Sequence, residues 1–198
     1  MFQQQQPDPI VSKKDFNNFL GVLTFIARTF AVTVEVFLRR ADSFGERYFG
    51  MQAAAAFVLI LVWPAFWEGH SAEPMLVFLL LYWLALLRAR ICTAARVRRG
   101  GPQPHSQSNG VSVLQRLFRR TPEHRIKTGL EFLVVFLVGA LLLSVSQPLG
   151  AYLMFAAFGA GATSGMSGAL QHRRSLDLHD AFVEQAGTAE SFRRMRGE

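Results

Sequence analysis

Two charged residues in an otherwise apolar stretch are the first place to look for chemistry in this chain. Arg28 and Glu35 stand about two helical turns apart within residues 16–38, among Phe19, Leu20, Leu23, Phe25, Ile26 and Phe30. An ionisable pair held inside a bilayer is the kind of group that carries protons or ions. The less apolar positions here are Asn17, Gly21, Thr24, Arg28, Ala31 and Glu35, whose 4-3-4-3-4 spacing gathers them into one narrow helical stripe. Two arrangements fit this pattern. A helix lying in the membrane surface turns Arg28 and Glu35 to water. A spanning helix turns them into a bundle, where an arginine near mid-membrane costs about 3 kcal/mol or more. The surface helix is the expectation, and Arg28–Glu35 is the intramembrane pair if the segment spans instead.

The remaining candidates point away from catalysis. Glu131 directly precedes an apolar run, with Arg125 and Lys127 close by. A carboxylate suits a helix N-terminus, so an interfacial cap is expected there rather than a proton site. The five histidines, His70, His105, His124, His172 and His179, are scattered and form no HExxH or Cys/His pattern. His179 with Asp180 and Glu184 reads as an ordinary solvated tail. Cys92 is the single cysteine, which excludes an intramolecular disulfide, and it reads as a bystander among Arg88, Arg90 and Arg96. Walker, Rossmann and GxSxG patterns are absent from the sequence. The expectation is a non-enzymatic protein with no catalytic residue, cofactor or metal.

A further pattern speaks of packing. Ala157, Gly161, Gly165 and Ala169 recur every four residues, and Ser164 and Gly168 lie in the adjacent row with Ala160. A helix face without bulk lets another backbone approach closely, and Thr163, Ser164 and Ser167 could add interhelical hydrogen bonds. That face packs against this chain's own preceding span, against another subunit, or along a solute path.

These residues must be positioned by membrane helices. Residues 51–67, 75–87, 132–145 and 151–170 are apolar runs without Lys, Arg or His. Backbone polar groups in lipid are satisfied only within helices or closed barrels, so an all-α integral membrane protein is expected. Its plan is two transmembrane hairpins (four spans) plus amphipathic interfacial helices. In chain order this gives a disordered polar lead over 1–15, an amphipathic helix over 16–40 and a first hairpin over 41–99. A Gly/Pro/Ser-rich flexible linker over 100–110 follows. Residues 111–174 hold an in-plane helix and the second hairpin, and 175–198 form a cytoplasmic tail with Leu178 and Phe182 on a weakly apolar face. The polar opening does not read as a cleaved signal peptide.

Charge orients the plan. Residues 88–127 hold ten basic residues against the single carboxylate Glu123, +9 in a chain of net +7. The positive-inside rule accounts for this, with Arg88, Arg90, Arg96, Arg98, Arg99, Arg116, Arg119 and Arg120 forming a basic cytoplasmic surface suited to anionic lipid headgroups. Aromatics are scarce among these arginines, which disfavours nucleic acid. Phe37-Leu38-Arg39-Arg40 and Leu117-Phe118-Arg119-Arg120 lie 80 positions apart, each ahead of a hairpin, in the manner of a parallel repeat. The expected function is a structural or assembly subunit of a larger membrane complex of secretion, conjugation or energy-transducing type. Its partners would be other membrane subunits or itself. The alternatives are an oligomeric channel or small-solute transporter using the Gly/Ser face of the fourth span, and a membrane-anchored binder of nucleic acid or anionic lipid. A bacterial cytoplasmic membrane is expected, with both termini cytoplasmic provided residues 16–38 do not span.

Overall fold

The computed structural model describes residues 13–45, 50–102, 108 and 110–196, and side chains from Asn18 onward except that of Gln171. The expected polar lead up to residue 12 and most of the expected 100–110 linker lie outside these residues. Regular structure among the described residues is predominantly helical, and an isolated antiparallel bridge pairs Arg39 with Ser112. The helices are α1 (Lys13–Leu38), α2 (Met51–Val62), α3 (Glu73–Arg98), α4 (Glu123–Arg125), α5 (Glu131–Leu142) and α6 (Gln147–Arg196). Short 3-10 turns cover Trp63–Phe66 and Val113–Arg116, and a π turn, Ile126–Leu130, joins α4 to α5. The chain divides into two compact units, Met1–Thr163 and Ser164–Glu198.

Three helices are long and apolar enough to cross a membrane: Asn18–Leu38 within α1, then α3 and α6. Met51–Phe66 is apolar but shorter. Local signals explain the boundaries. Four consecutive alanines favour α2, and Pro64 then turns its end into a 3-10 turn. The Ser71 hydroxyl accepts from the Glu73 amide, and Pro74 occupies the first turn of α3, where a missing N–H costs nothing. Arg96 and Arg98 close α3 against the negative end of its dipole.

The core of the first unit lies where the small faces of the helices meet. Ala31, Val32 and Val34 of α1, Ala53, Ala56 and Ile60 of α2, Tyr82 of α3 and Tyr152, Ala156 and Ala157 of α6 are all buried. In the α2–α3 hairpin the Tyr82 hydroxyl donates to the Ala53 carbonyl at 3.3 Å. In the α5–α6 hairpin the backbones themselves approach: a Cβ placed on Gly150 would fall 2.8 Å from the Gly139 carbonyl oxygen. Gly159 similarly brings α6 against the Ala27 carbonyl and Phe30 of α1. Phe30 then packs its ring on Trp63 and Tyr152 at 5.8 and 5.4 Å, and the Trp63 indole donates to the Pro148 carbonyl at 2.9 Å.

Three expectations change. Glu35 is only 3% exposed, so it does not face water as a surface helix would require; the second half of α1 is packed into the bundle. The in-plane helix expected over 111–120 is a single 3-10 turn, because its start is held extended beside residues 39–43. Glu131 does not cap a helix start, because helical backbone continues into it from the π turn and α4.

Candidate functional site: an arginine buried between two carboxylates

Glu35 and Arg39 close the last turn of α1 at i,i+4 spacing, where side chains on successive turns meet. The Arg39 guanidinium lies 2.7 Å from Glu35 and donates to Glu131 of α5 at 3.3 Å. Neither the Arg39 nor the Glu131 side chain is exposed, and that of Glu35 is 4% exposed. The cluster joins helices 92 positions apart in sequence.

Local chain chemistry holds it in place. The bridge between Arg39 and Ser112 brings the Ser112 side chain to the Glu131 carboxylate. The Arg40 amide donates to the Val111 carbonyl at 2.9 Å, and the Ser43 hydroxyl accepts from the Val111 amide at 2.9 Å. Gly110 sits at φ +81°, and a Cβ there would press on Ser43 and Phe44 at 3.1 and 3.2 Å. Only glycine takes that conformation in that space without strain. Lys127, in the π turn, donates to the Gly110 carbonyl at 2.7 Å and pairs with Glu123 at 2.7 Å. A π turn takes up one residue more than an α-turn, and such turns recur at functional positions. Here it lets Lys127 hold the 110–112 segment while Glu131 points inward.

Chemically, this is a charged rivet. Taking charges out of water is costly, and their mutual attraction offsets that only while every partner stays in place. Removing one member strands the others, which makes such a cluster a device for fixing one arrangement of helices.

The expected site residues separate into groups. Arg28 is half-buried, and no carboxylate lies within ion-pair distance of it among the described residues; Glu35 pairs with Arg39 instead. Of the basic surface, Arg88 and Arg116 line a cavity of about 540 Å³ together with Arg39, Arg40, Asp42 and Cys92. Arg96 lies 3.8 Å from the Asp42 carboxylate and donates to its carbonyl. Arg90, Arg98, Arg99, Arg119 and Arg120 are exposed. Along the small-residue face, Ala157 is buried, and a Cβ on Gly161 would meet Phe132 at an ordinary 3.4 Å. In the second unit Ser164 is 6% exposed, Gly168 is half-buried and Ala169 exposed, and a Cβ on Gly165 would meet nothing within 4 Å. The close approaches fall at Gly139, Gly150 and Gly159, which the four-residue repeat did not single out.

Among the described residues no group of three or more His, Cys, Asp or Glu side chains is placed to hold a metal ion. Sequence reasoning passed over Arg39 and Ser112. The i,i+4 spacing of Glu35 and Arg39 was the available signal for the first, and nothing local marks the second. Comparison with protein-family models, with curated proteins and with solved structures finds no match for this chain.

Proposed function

We propose that the chain is a structural or assembly subunit of a larger membrane complex, with no enzymatic chemistry of its own. The observation that carries this reading is the second unit. Every described side chain from His172 to Arg196 is exposed. Leu178, Phe182 and Phe192 are 72%, 69% and 62% exposed, and with Gln185 and Ala189 they follow a 4-3-4-3 spacing along one stripe. Helices gain most of their stability by packing an apolar face rather than from propensity. Exposed apolar side chains gathered along one element mark a surface for another protein.

In this reading α2–α3 and α5–α6 are two hairpins whose basic ends face the cytoplasm of a bacterial cell, as the positive-inside rule favours. The burial of Glu35 favours an α1 embedded with the bundle over one lying on the surface. If α1 crosses, the N-terminus lies opposite the basic surface. The charge rivet supports the same function, because it fixes helix positions without offering a reactive group to solvent.

The test is extraction of the full chain from its own membrane in mild detergent, with intact masses measured and co-purifying chains identified. Foreign subunits in fixed stoichiometry are expected. They should be lost from the variant Leu178→Ser/Phe182→Ser/Phe192→Ser, which still inserts. A monomer without foreign chains overturns the reading. A homo-oligomer that conducts ions in proteoliposomes replaces it with the channel reading.

A further inference from the structure

We propose that the cavity between the end of α1, the middle of α3 and the Val113–Arg116 turn binds the phosphate headgroup of an anionic phospholipid. Four arginines from three separate elements line it, and they are not equivalent. Arg39 is engaged by Glu35 and Glu131. Arg40 is engaged by Asp42 through two hydrogen bonds of 3.2 and 3.0 Å. Arg88 and Arg116 have no carboxylate within ion-pair distance among the described residues, and both are exposed. Two guanidinium groups from different elements therefore line one cavity, and each is of a kind that binds phosphate oxygens bidentately.

The rest of the lining identifies the source of the phosphate. Val36, Phe37, Ala85 and Val113 give the cavity an apolar wall, and Phe37 and Val113 are 44% and 45% exposed. Leu81 and Leu84, one to two turns before Arg88 on α3, are also exposed. Arg88 is the first charge after the apolar run of α3, so the cavity stands where a spanning helix meets the basic surface. A free phosphate has no use for an apolar wall. A phospholipid uses both parts, with its headgroup on Arg88 and Arg116 and its chains along the exposed face of α3. Basic pockets at the cytoplasmic ends of membrane helices take anionic headgroups for this reason. The inference is independent of the assembly reading and requires only that α3 lie in a membrane.

The test counts lipids retained by the purified full chain in native mass spectra. Phosphatidylglycerol and phosphatidylcholine of identical acyl chains are the probes. Retention of phosphatidylglycerol over phosphatidylcholine is expected. Two cationic contacts near a membrane surface together correspond to about a 30-fold change in affinity, which is the loss expected for Arg88→Gln/Arg116→Gln. The charge-matched control Arg119→Gln/Arg120→Gln should stay near wild type, and Arg88→Lys/Arg116→Lys should keep most of the preference. Helical content by circular dichroism should be equal in all of them. Equal retention of both lipids, or equal losses in the two glutamine variants, overturns the site. Displacement of phosphatidylglycerol by millimolar inorganic phosphate overturns the lipid assignment in favour of a soluble phosphate ligand.

Discussion

Arg39 and Arg119 occupy the same place in two similar tetrapeptides, Phe37-Leu38-Arg39-Arg40 and Leu117-Phe118-Arg119-Arg120, yet their surroundings are opposite. Arg39 is 2% exposed and reaches carboxylates on two helices, whereas Arg119 is exposed after a 3-10 turn. The neighbours account for the contrast. Four residues before Arg39 stands Glu35, and four before Arg119 stands Gln115. The 80-residue offset that aligns the tetrapeptides sets Glu131 opposite Met51, which is 76% exposed. A basic doublet ahead of an apolar helix therefore does not dictate burial; carboxylates waiting at the right turn do. The hairpins that follow diverge too. One closes through the Tyr82 hydroxyl donating to the Ala53 carbonyl, the other through close-approaching glycine backbones at Gly139 and Gly150. The halves share an order of elements and differ in what fastens them.

The strongest way to break this comparison is to treat both arginines alike. Arg39→Gln leaves two buried carboxylates without their guanidinium and should cost about 3–5 kcal/mol, whereas Arg119→Gln should stay within about 0.5 kcal/mol of wild type. Denaturant titration in micelles measures both, and equal losses would show the two halves to be equivalent after all. The hairpins offer a finer cut. Gly150→Leu drives a side chain into the Gly139 carbonyl and the Leu143 backbone, and overpacking of this kind costs about 1–3 kcal/mol or more. The expected result is a lower unfolding midpoint with α2–α3 still protected from hydrogen exchange. Smallest of the three, Tyr82→Phe removes one hydrogen bond from the first hairpin and should cost about 1 kcal/mol. A Tyr82→Phe loss larger than that of Gly150→Leu would reverse the assignment of fasteners.

Much of the scaffold could be read in advance because its signals are local. The apolar run that stops at Pro64 and those that open at Pro74 and Pro148 mark helix ends through local chemistry alone. What escaped depends on which residue arrives from elsewhere. Glu131 looked like a cap because its neighbours in sequence are Arg125 and Lys127, and its guanidinium partner comes from α1. The 111–120 segment has a helical pattern, but Arg40 and Ser43 bind the backbone at Val111 before a helix can form. Glycine spacing singled out Gly161 and Gly165, yet a glycine is needed only where another backbone comes close, and that happens at Gly139, Gly150 and Gly159. The lining of the cavity was half visible, since Arg88 and Arg116 stood among the basic residues but nothing paired them.

The π turn Ile126–Leu130 also bears on how this chain can change in length. It stores one surplus residue between two anchored points, Lys127 on the Gly110 carbonyl and Glu131 on Arg39. Loss of a single residue inside the turn can be absorbed by tightening to an α-turn, with α5 keeping its rotational phase. One residue lost further along α5 has no such slack and rotates all that follows by about 100°. A single-residue deletion in this half of the protein is thus expected to be absorbed within Ile126–Leu130 and not further along α5.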